Sequence, residues 1–92
     1  MNTSSTHQTR AFTAHTIQRL QAVLAERGIS RSQHYFDIKN GLWVPPVKLG
    51  IKASGWPTGE TSQLNAARIA GKTPDEIRIL VTKLMVARAA MA

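Results

Sequence analysis

The chain has 92 residues, enough for one small domain, and it contains no cysteine, which excludes disulfides and thiolate metal sites. Twelve Lys and Arg against five acidic residues give a formal net charge of +7, which favours a polyanionic partner such as nucleic acid. No apolar stretch reaches membrane-spanning length and the polar N-terminus lacks the apolar run of a secretory signal, so we expect a cytoplasmic protein without membrane contact.

The first predicted helix follows a polar arm. Residues 1–13 are rich in Ser, Thr and Gln, which predicts a flexible segment, and residues 14–92 are expected to form a single domain. From Ala14 onward, apolar residues recur at helical spacing, at Ile17, Leu20, Val23 and Leu24. This helix is expected to end at Gly28, which can adopt the left-handed conformation that closes a helix.

A second helix is predicted to begin directly after a tight turn. Ser30 is placed to cap it, and Gln33 stands where a capping box needs its second partner. The helix is expected to end at residues 40–41, an Asn-Gly pair. The side chains expected to face the core are Ile38 and either Tyr35 or Phe36.

A short basic hairpin follows. Two prolines at residues 45 and 46 favour an extended connection, and short strands are predicted on either side of Gly50, over residues 47–49 and 51–53. Lys48 and Lys52 are expected to point outward. The residues expected to be in the core are Trp43, Val47, Leu49 and Trp56.

Two further helices complete the predicted fold. Thr58 or Thr61 is expected to cap the third, which should end near Gly71. The run Thr73-Pro74-Asp75-Glu76 is a strong helix start, with a cap, a proline and two acids, so the last helix is predicted over residues 74–90. Its main apolar stripe consists of Ile77, Leu80, Val81, Leu84 and Met85, and a second apolar face carries Ile79 and Val86.

Helices that flank a basic hairpin predict a mainly α winged helix-turn-helix. Residues 28–57 contain four Lys and Arg against one acid, Asp37. Gly28-Ile29-Ser30, Arg31-Ser32, Tyr35, Pro46-Val47-Lys48-Leu49-Gly50 and Trp56 together resemble the pattern of the AlpA family of phage and mobile-element regulators, which is related to excisionases and MerR-type winged helices. The resemblance covers roughly residues 17–90, where the terminal helix is similar to that of a longer subgroup.

The resemblance implies a transcriptional regulator of a prophage or mobile element that binds double-stranded DNA sequence-specifically. The helix from Ser30 would lie in the major groove, and the hairpin of residues 47–56 would act as a wing on the backbone or minor groove. The DNA-binding residues would be Arg31, Ser32, Gln33, Tyr35, Lys39, Lys48 and Lys52. The sequence departs from the family at His34, where an apolar residue is common, and at Asp37, an acid expected near the DNA face.

Each of these residues has a second interpretation. Arg31 could contact a base edge or only phosphate, Ser32 and Gln33 could serve the helix cap, and the lysines could be solvated. Tyr35 could direct its phenol to phosphate or its ring to the core. The three histidines have no metal-ligand spacing, and no catalytic motif is present, so neither an enzyme nor a cofactor is expected.

Two other functional interpretations stay open. The first is an excisionase-type factor that bends DNA during recombination. The second, of another class, is a protein-interaction adaptor that docks a partner through the apolar last helix. That helix could also form a homodimer, or more weakly lie on a membrane surface.

Overall fold

A computed structural model describes residues 15–91, which form four helices and one three-stranded antiparallel sheet. The predicted arm of residues 1–13 lies outside the described residues. The strands are β1 (Ile17–Gln18), β2 (Val47–Lys48) and β3 (Ser54–Pro57), and the helices are α1 (Leu20–Arg27), α2 (Arg31–Lys39), α3 (Thr58–Ile69) and α4 (Pro74–Ala90).

The turn between α1 and α2 forms as its local sequence predicts. Gly28 adopts the left-handed conformation with φ 67°, and its amide donates to the carbonyl of Leu24 at 2.8 Å. Ser30 caps α2, because its hydroxyl accepts a hydrogen bond from the amide of Gln33 at 3.1 Å. The two helices and this turn are the helix-turn-helix unit.

The first strand was not anticipated. Ile17 was predicted in a helix, but it pairs with Pro57 in β1, and α1 begins only at Leu20. The amide of Thr58 donates to the carbonyl of Thr16 at 2.8 Å, which extends the contact between this edge strand and β3. The reason is tertiary, since the hydrogen-bond partner of this segment lies some forty residues further along the chain.

The wing differs in register from the prediction. Residues 51–53 do not form a strand; the second strand of the hairpin is β3, whose Ser54 and Gly55 pair with β2. Trp56 sets this register, because its side chain is fully buried and its indole N–H donates to the carbonyl of Val44 at 2.9 Å. Residues 49–53 form the loop at the wing tip, which the amide of Leu49 closes by donating to the carbonyl of Ala53 at 2.8 Å.

Gly55 permits the close approach of β1 to β3. A Cβ at this position would lie 2.5 Å from Ile17 Cγ2 and 2.8 Å from the carbonyl oxygen of Gln18. Real Cβ atoms do not approach other heavy atoms so closely, so a larger residue would push β1 away from the sheet.

The hydrophobic core lies between the sheet, the helix-turn-helix unit and the last two helices. It consists of Val23, Trp43, Val44, Trp56, Leu64, Ile77, Val81 and Leu84. The prediction of core tryptophans is therefore confirmed. The prediction for Leu49 is wrong, because it is 45% exposed on the wing loop.

The inner face of α2 also differs from the prediction. Tyr35 and Phe36 are 41% and 57% exposed, whereas His34 and Asp37 are buried. Hydrophobic periodicity pointed to the aromatic residues, but the polar pair is buried because Arg27 of α1 supplies its hydrogen-bond partner.

The last two helices begin differently. α3 follows β3 without a side-chain cap, and Thr61, a predicted cap, is instead buried within the helix. α4 begins at Thr73 with the predicted capping box, and hydrogen bonds from Thr73 lower the pKa of Glu76. Arg88 near the end of α4 pairs with Glu60 of α3 at 2.5 Å and helps to join the two helices.

These elements make up a winged helix-turn-helix, the mainly α fold that the sequence predicts. Within residues 15–91, no helix has the length and apolar character that crossing a membrane requires.

Candidate nucleic-acid interface

One face of α2 turns away from the core. His34, Asp37 and Ile38 occupy the inner face, so the residues roughly opposite them on the helix point outward. Ser32, Phe36 and Lys39 follow one another at the i, i+4 and i+7 spacing of a single stripe, and all three are exposed. We call these three residues the outer stripe of α2.

A second group of side chains lines a cleft of about 290 Å³ beside this stripe. Arg31 and Tyr35 of α2 form one wall, Lys52 of the wing loop forms another, and Arg19 lies at the start of α1. We call these four residues the basic cleft. The structure thus brings together three of the seven residues that sequence reasoning selected, namely Arg31, Tyr35 and Lys52.

Arg19 was missed by sequence reasoning. Its Nε donates to the carbonyl of Ser54 at 3.1 Å, which holds the guanidinium between α1 and the wing. Arg19 also occupies the N-cap position of α1 and makes no side-chain cap there. A cation immediately before an apolar helical run was the available signal, but its use depends on the wing, which is distant in sequence.

Tyr35 lies between the core and the cleft. Its ring packs edge-on against the imidazole of His34, with 5.3 Å between the ring centroids. The guanidinium carbon of Arg31 lies 5.7 Å from the centre of the same ring, within range of a cation–π contact. One side of Tyr35 therefore packs against His34 and the other side is accessible, and a contact of its phenol with phosphate stays a prediction.

Lys39 and Lys48 lie outside the cleft. Lys39 is exposed in the last turn of α2, about 12 Å along the helix axis from Arg31 at 1.5 Å per residue. Lys48 is exposed on β2, immediately before the wing loop. Among residues 15–91, none of the cations of the cleft, Lys39 or Lys48 forms a salt bridge. Their charge is therefore available to an external anion.

Two residues of α2 have a different role from the one expected. Asp37 was expected near the DNA face, but it is 1% exposed, and its Oδ2 accepts a hydrogen bond from Arg27 at 2.5 Å. Gln33 was predicted as the second partner of a capping box, but its side-chain Nε2 donates to Asp37 Oδ1 at 2.8 Å. The only acid of residues 28–57 is thus paired with Arg27 inside the protein and does not face the surface.

Arg27, His34 and Asp37 form a buried polar group, which we call the helix clamp because it joins α1 to α2. Arg27 donates to His34 Nδ1 at 2.9 Å, and its guanidinium carbon lies 3.8 Å from the ring centre of Trp43. His34 also packs edge-on against Trp56, with 4.9 Å between ring centroids. The clamp therefore connects the two helices, and through His34 it packs α2 against Trp56 of the wing.

Burial controls the charge state of the clamp. It lowers the pKa of His34 from 6.5 to about 4, an effect that the nearby charge of Arg27 strengthens and that of Asp37 opposes. Burial likewise lowers the pKa of Arg27, against the hydrogen bond and charge of Asp37. His34 is therefore neutral at physiological pH, and since Arg27 can only donate, the imidazole proton resides on Nε2.

Other features of the surface do not join this site. A larger groove of about 530 Å³ is lined by none of the seven predicted residues, and its walls include Ile17, Leu84 and Met91. In the part of the chain that the structure describes, no three His, Cys, Asp or Glu residues are grouped so as to hold a metal ion.

The comparison with protein families agrees with the predicted resemblance. The model of the prophage CP4-57 regulatory protein (AlpA) family matches residues 16–69, more than half of the chain. The matched range contains β1, the helix-turn-helix unit, the wing and α3, but not α4. No curated protein and no solved structure gave a significant match. The chain belongs to the AlpA family of prophage regulatory proteins.

Proposed function

We propose that this protein is a sequence-specific, double-stranded DNA-binding transcriptional regulator of a prophage or mobile element, acting in the cytoplasm at the nucleoid. α2 enters the major groove, and the wing of residues 47–56 contacts the backbone or the minor groove. The observation that carries the proposal is the basic cleft, in which cations from α1, α2 and the wing loop converge without an acidic partner among residues 15–91.

The cleft has the chemistry of a phosphate site. Its three cations offer charge-assisted hydrogen bonds, and the positive end of α1 opens into it at Leu20 and Gln21. Because α1 has no side-chain cap, the first-turn amides are available to a phosphate oxygen. This arrangement would position the protein on the DNA backbone.

The first turn of α2 supplies the candidate base-reading residues. In helix-turn-helix proteins, the N-terminal residues of the second helix reach the base edges of the major groove. Arg31 and Ser32 occupy these positions and are exposed. Arg31 can donate two hydrogen bonds to a guanine edge, whereas one N–H of the Gln33 side chain is already donated to Asp37, which leaves its second N–H and its carbonyl oxygen for a base.

The proposal is tested by selecting bound duplexes from a random DNA pool and measuring the affinity of variants for the selected duplex. Arg31→Ala should reduce discrimination between this duplex and its single-base variants, by about 1–3 kcal/mol at one position. Lys52→Ala should weaken binding to all duplexes about equally and reduce the slope of log K against log salt by about 1.

Lys83→Ala is the matched control, since Lys83 is an exposed cation of α4 outside the cleft and its loss changes the net charge equally. We expect it to leave discrimination unchanged. A wild-type protein that selects no sequence from the pool would overturn the proposed function.

A DNA-bending, excisionase-type role is the second candidate, and Ile51 favours it. This residue is 94% exposed at the wing tip, between the exposed Lys48 and Lys52. Apolar side chains inserted between base steps in the minor groove kink DNA, with cations holding the flanking backbone. Whether the protein bends DNA is tested by measuring the bend angle of its complexes with circularly permuted duplexes. A bend that Ile51→Ser abolishes supports this role, and an unbent wild-type complex excludes it.

The adaptor and the homodimer stay predictions. Ile79 and Val86 on the outward face of α4 are 58% and 65% exposed, in the helix that the family match does not reach. Sedimentation velocity of the wild type and of Ile79→Glu tests the homodimer. Dissociation of a wild-type dimer by this substitution is the expected result, and a monomeric wild type with or without DNA contradicts it.

A further inference from the structure

Phe36 is an exposed aromatic residue in the middle of the outer stripe of α2. It is 57% exposed, one turn after Ser32 and just under one turn before Lys39. Among residues 15–91, no aromatic ring or cation stacks on its ring. The core has no place for it, because His34 and Asp37 occupy the inner face of the same turns.

The surroundings of Phe36 indicate what covers it. Cations flank it, with Arg31 towards the start of the helix and Lys39 towards its end, so the face as a whole suits a polyanion. An apolar ring with a cation towards each end of its helix is poorly matched to an apolar protein partner, since docking such a partner would desolvate the cations. Duplex DNA offers phosphates at the edges of the groove and apolar groups within it.

The apolar group of the major groove is the C5 methyl of thymine, which phenylalanine can contact directly. Phe36 lies five residues after Arg31, about 7.5 Å along the axis at 1.5 Å per residue. For a helix that lies along the groove, this is about two base-pair steps from the base contacted by Arg31, at 3.4 Å per step.

We propose that Phe36 determines specificity by packing its ring against a thymine methyl group in the operator. The inference rests on the proposed function, because it assumes that α2 lies in the major groove. The contact of Phe36 would differ in kind from that of Arg31, because it would bury apolar surface instead of forming hydrogen bonds.

The experiment uses the full chain and the duplex selected from a random pool. Each thymine of that duplex is replaced in turn by deoxyuridine, which removes the methyl and keeps every hydrogen-bonding group. We expect one position at which the replacement weakens wild-type binding by about fourfold, the value of one buried methyl group. At this position the binding of Phe36→Ala should not change on replacement.

Ile69→Ala is the matched control, because Ile69 is another large apolar residue, 88% exposed, at the end of α3. It should retain the full deoxyuridine effect. Since Phe36 is exposed, Phe36→Ala should fold normally, and the melting temperatures of both variants verify this.

The outcomes separate the two proposals. If the wild type selects a sequence but no deoxyuridine distinguishes it from Phe36→Ala, the inference about Phe36 is wrong while the proposed function stands. If Phe36→Ala changes the oligomeric state and deoxyuridine has no effect, a second copy of the chain covers Phe36 and the inference is also wrong. If the wild type selects no sequence, both proposals fail.

Discussion

The two faces of α2 reverse the usual distribution of polar and apolar residues. Its inner face buries an imidazole and a carboxylate, His34 and Asp37, while its outer stripe exposes a phenylalanine. Arg27 of α1 hydrogen-bonds to one atom of each, His34 Nδ1 and Asp37 Oδ2, and these two contacts connect α1 to α2. In this small domain, the polarity of a side chain therefore does not predict whether it is buried or exposed. It also does not predict whether the side chain supports the fold or belongs to the candidate site. What separates the faces is whether a side chain has a partner within the fold.

The largest expected effect comes from breaking the helix clamp. Asp37→Ala leaves the guanidinium of Arg27 buried without its counter-charge, which should lower the free energy of unfolding by about 3–5 kcal/mol. Urea denaturation measures it. Asp75→Ala is the control, because Asp75 makes an ion pair with 92% of its side chain exposed and its loss should cost at most about 1 kcal/mol. Equal losses of stability for the two substitutions would show that the buried Arg27–Asp37 pair does not stabilise the fold more than an exposed ion pair does.

A pH dependence should follow from the same inner face. The pKa of His34 is lowered in the folded protein from 6.5 to about 4, so between these values the unfolded chain binds more protons. The stability due to the neutral imidazole is therefore complete above about pH 6.5 and is lost as the pH falls towards 4. Thermal denaturation across this range should show the decline.

His34→Gln sharpens this test. Glutamine can still accept a hydrogen bond from Arg27 but does not titrate, so the decline in stability between pH 6.5 and 4 should become shallower. His15→Gln, at an exposed histidine outside the clamp, should leave the decline unchanged. An identical pH profile for wild type and His34→Gln would show that the imidazole does not cause the loss.

The smallest effect on stability is expected on the outer stripe. Lys39 is exposed and forms no salt bridge among the described residues, so Lys39→Ala should change the free energy of unfolding by less than about 0.5 kcal/mol. It should nonetheless reduce the salt slope of DNA binding by about 1 if Lys39 contacts a phosphate. A large loss of stability, with the salt dependence of DNA binding unchanged, would show that Lys39 supports the fold and does not contact a phosphate.

Features encoded by neighbouring residues could be predicted from the sequence. Gly28 and Ser30 form the expected turn, and Thr73 forms the expected capping box, because each acts on amides within a few residues. The winged helix-turn-helix and the family follow from motifs of the same short range. The full burial of Trp56 follows from its size beside a small sheet.

Features that depend on distant partners could not be predicted. β1 exists because Ile17 meets Pro57, and Arg19 joins the site because it reaches the carbonyl of Ser54. The inner face of α2 was assigned to aromatic residues because periodicity favours apolar side chains, whereas Arg27 makes a polar pair the better occupant. In each case the deciding contact crosses between elements.

The proposed function requires that the exposed basic and apolar face of this fold bind one duplex sequence in preference to others. The most direct test is a competition measurement, in which the wild type is bound to its selected duplex and displaced by a scrambled duplex of equal length at physiological salt. We predict a preference of about 10³-fold or more for the selected duplex. Equal displacement by the selected and the scrambled duplex would show that binding is not sequence-specific.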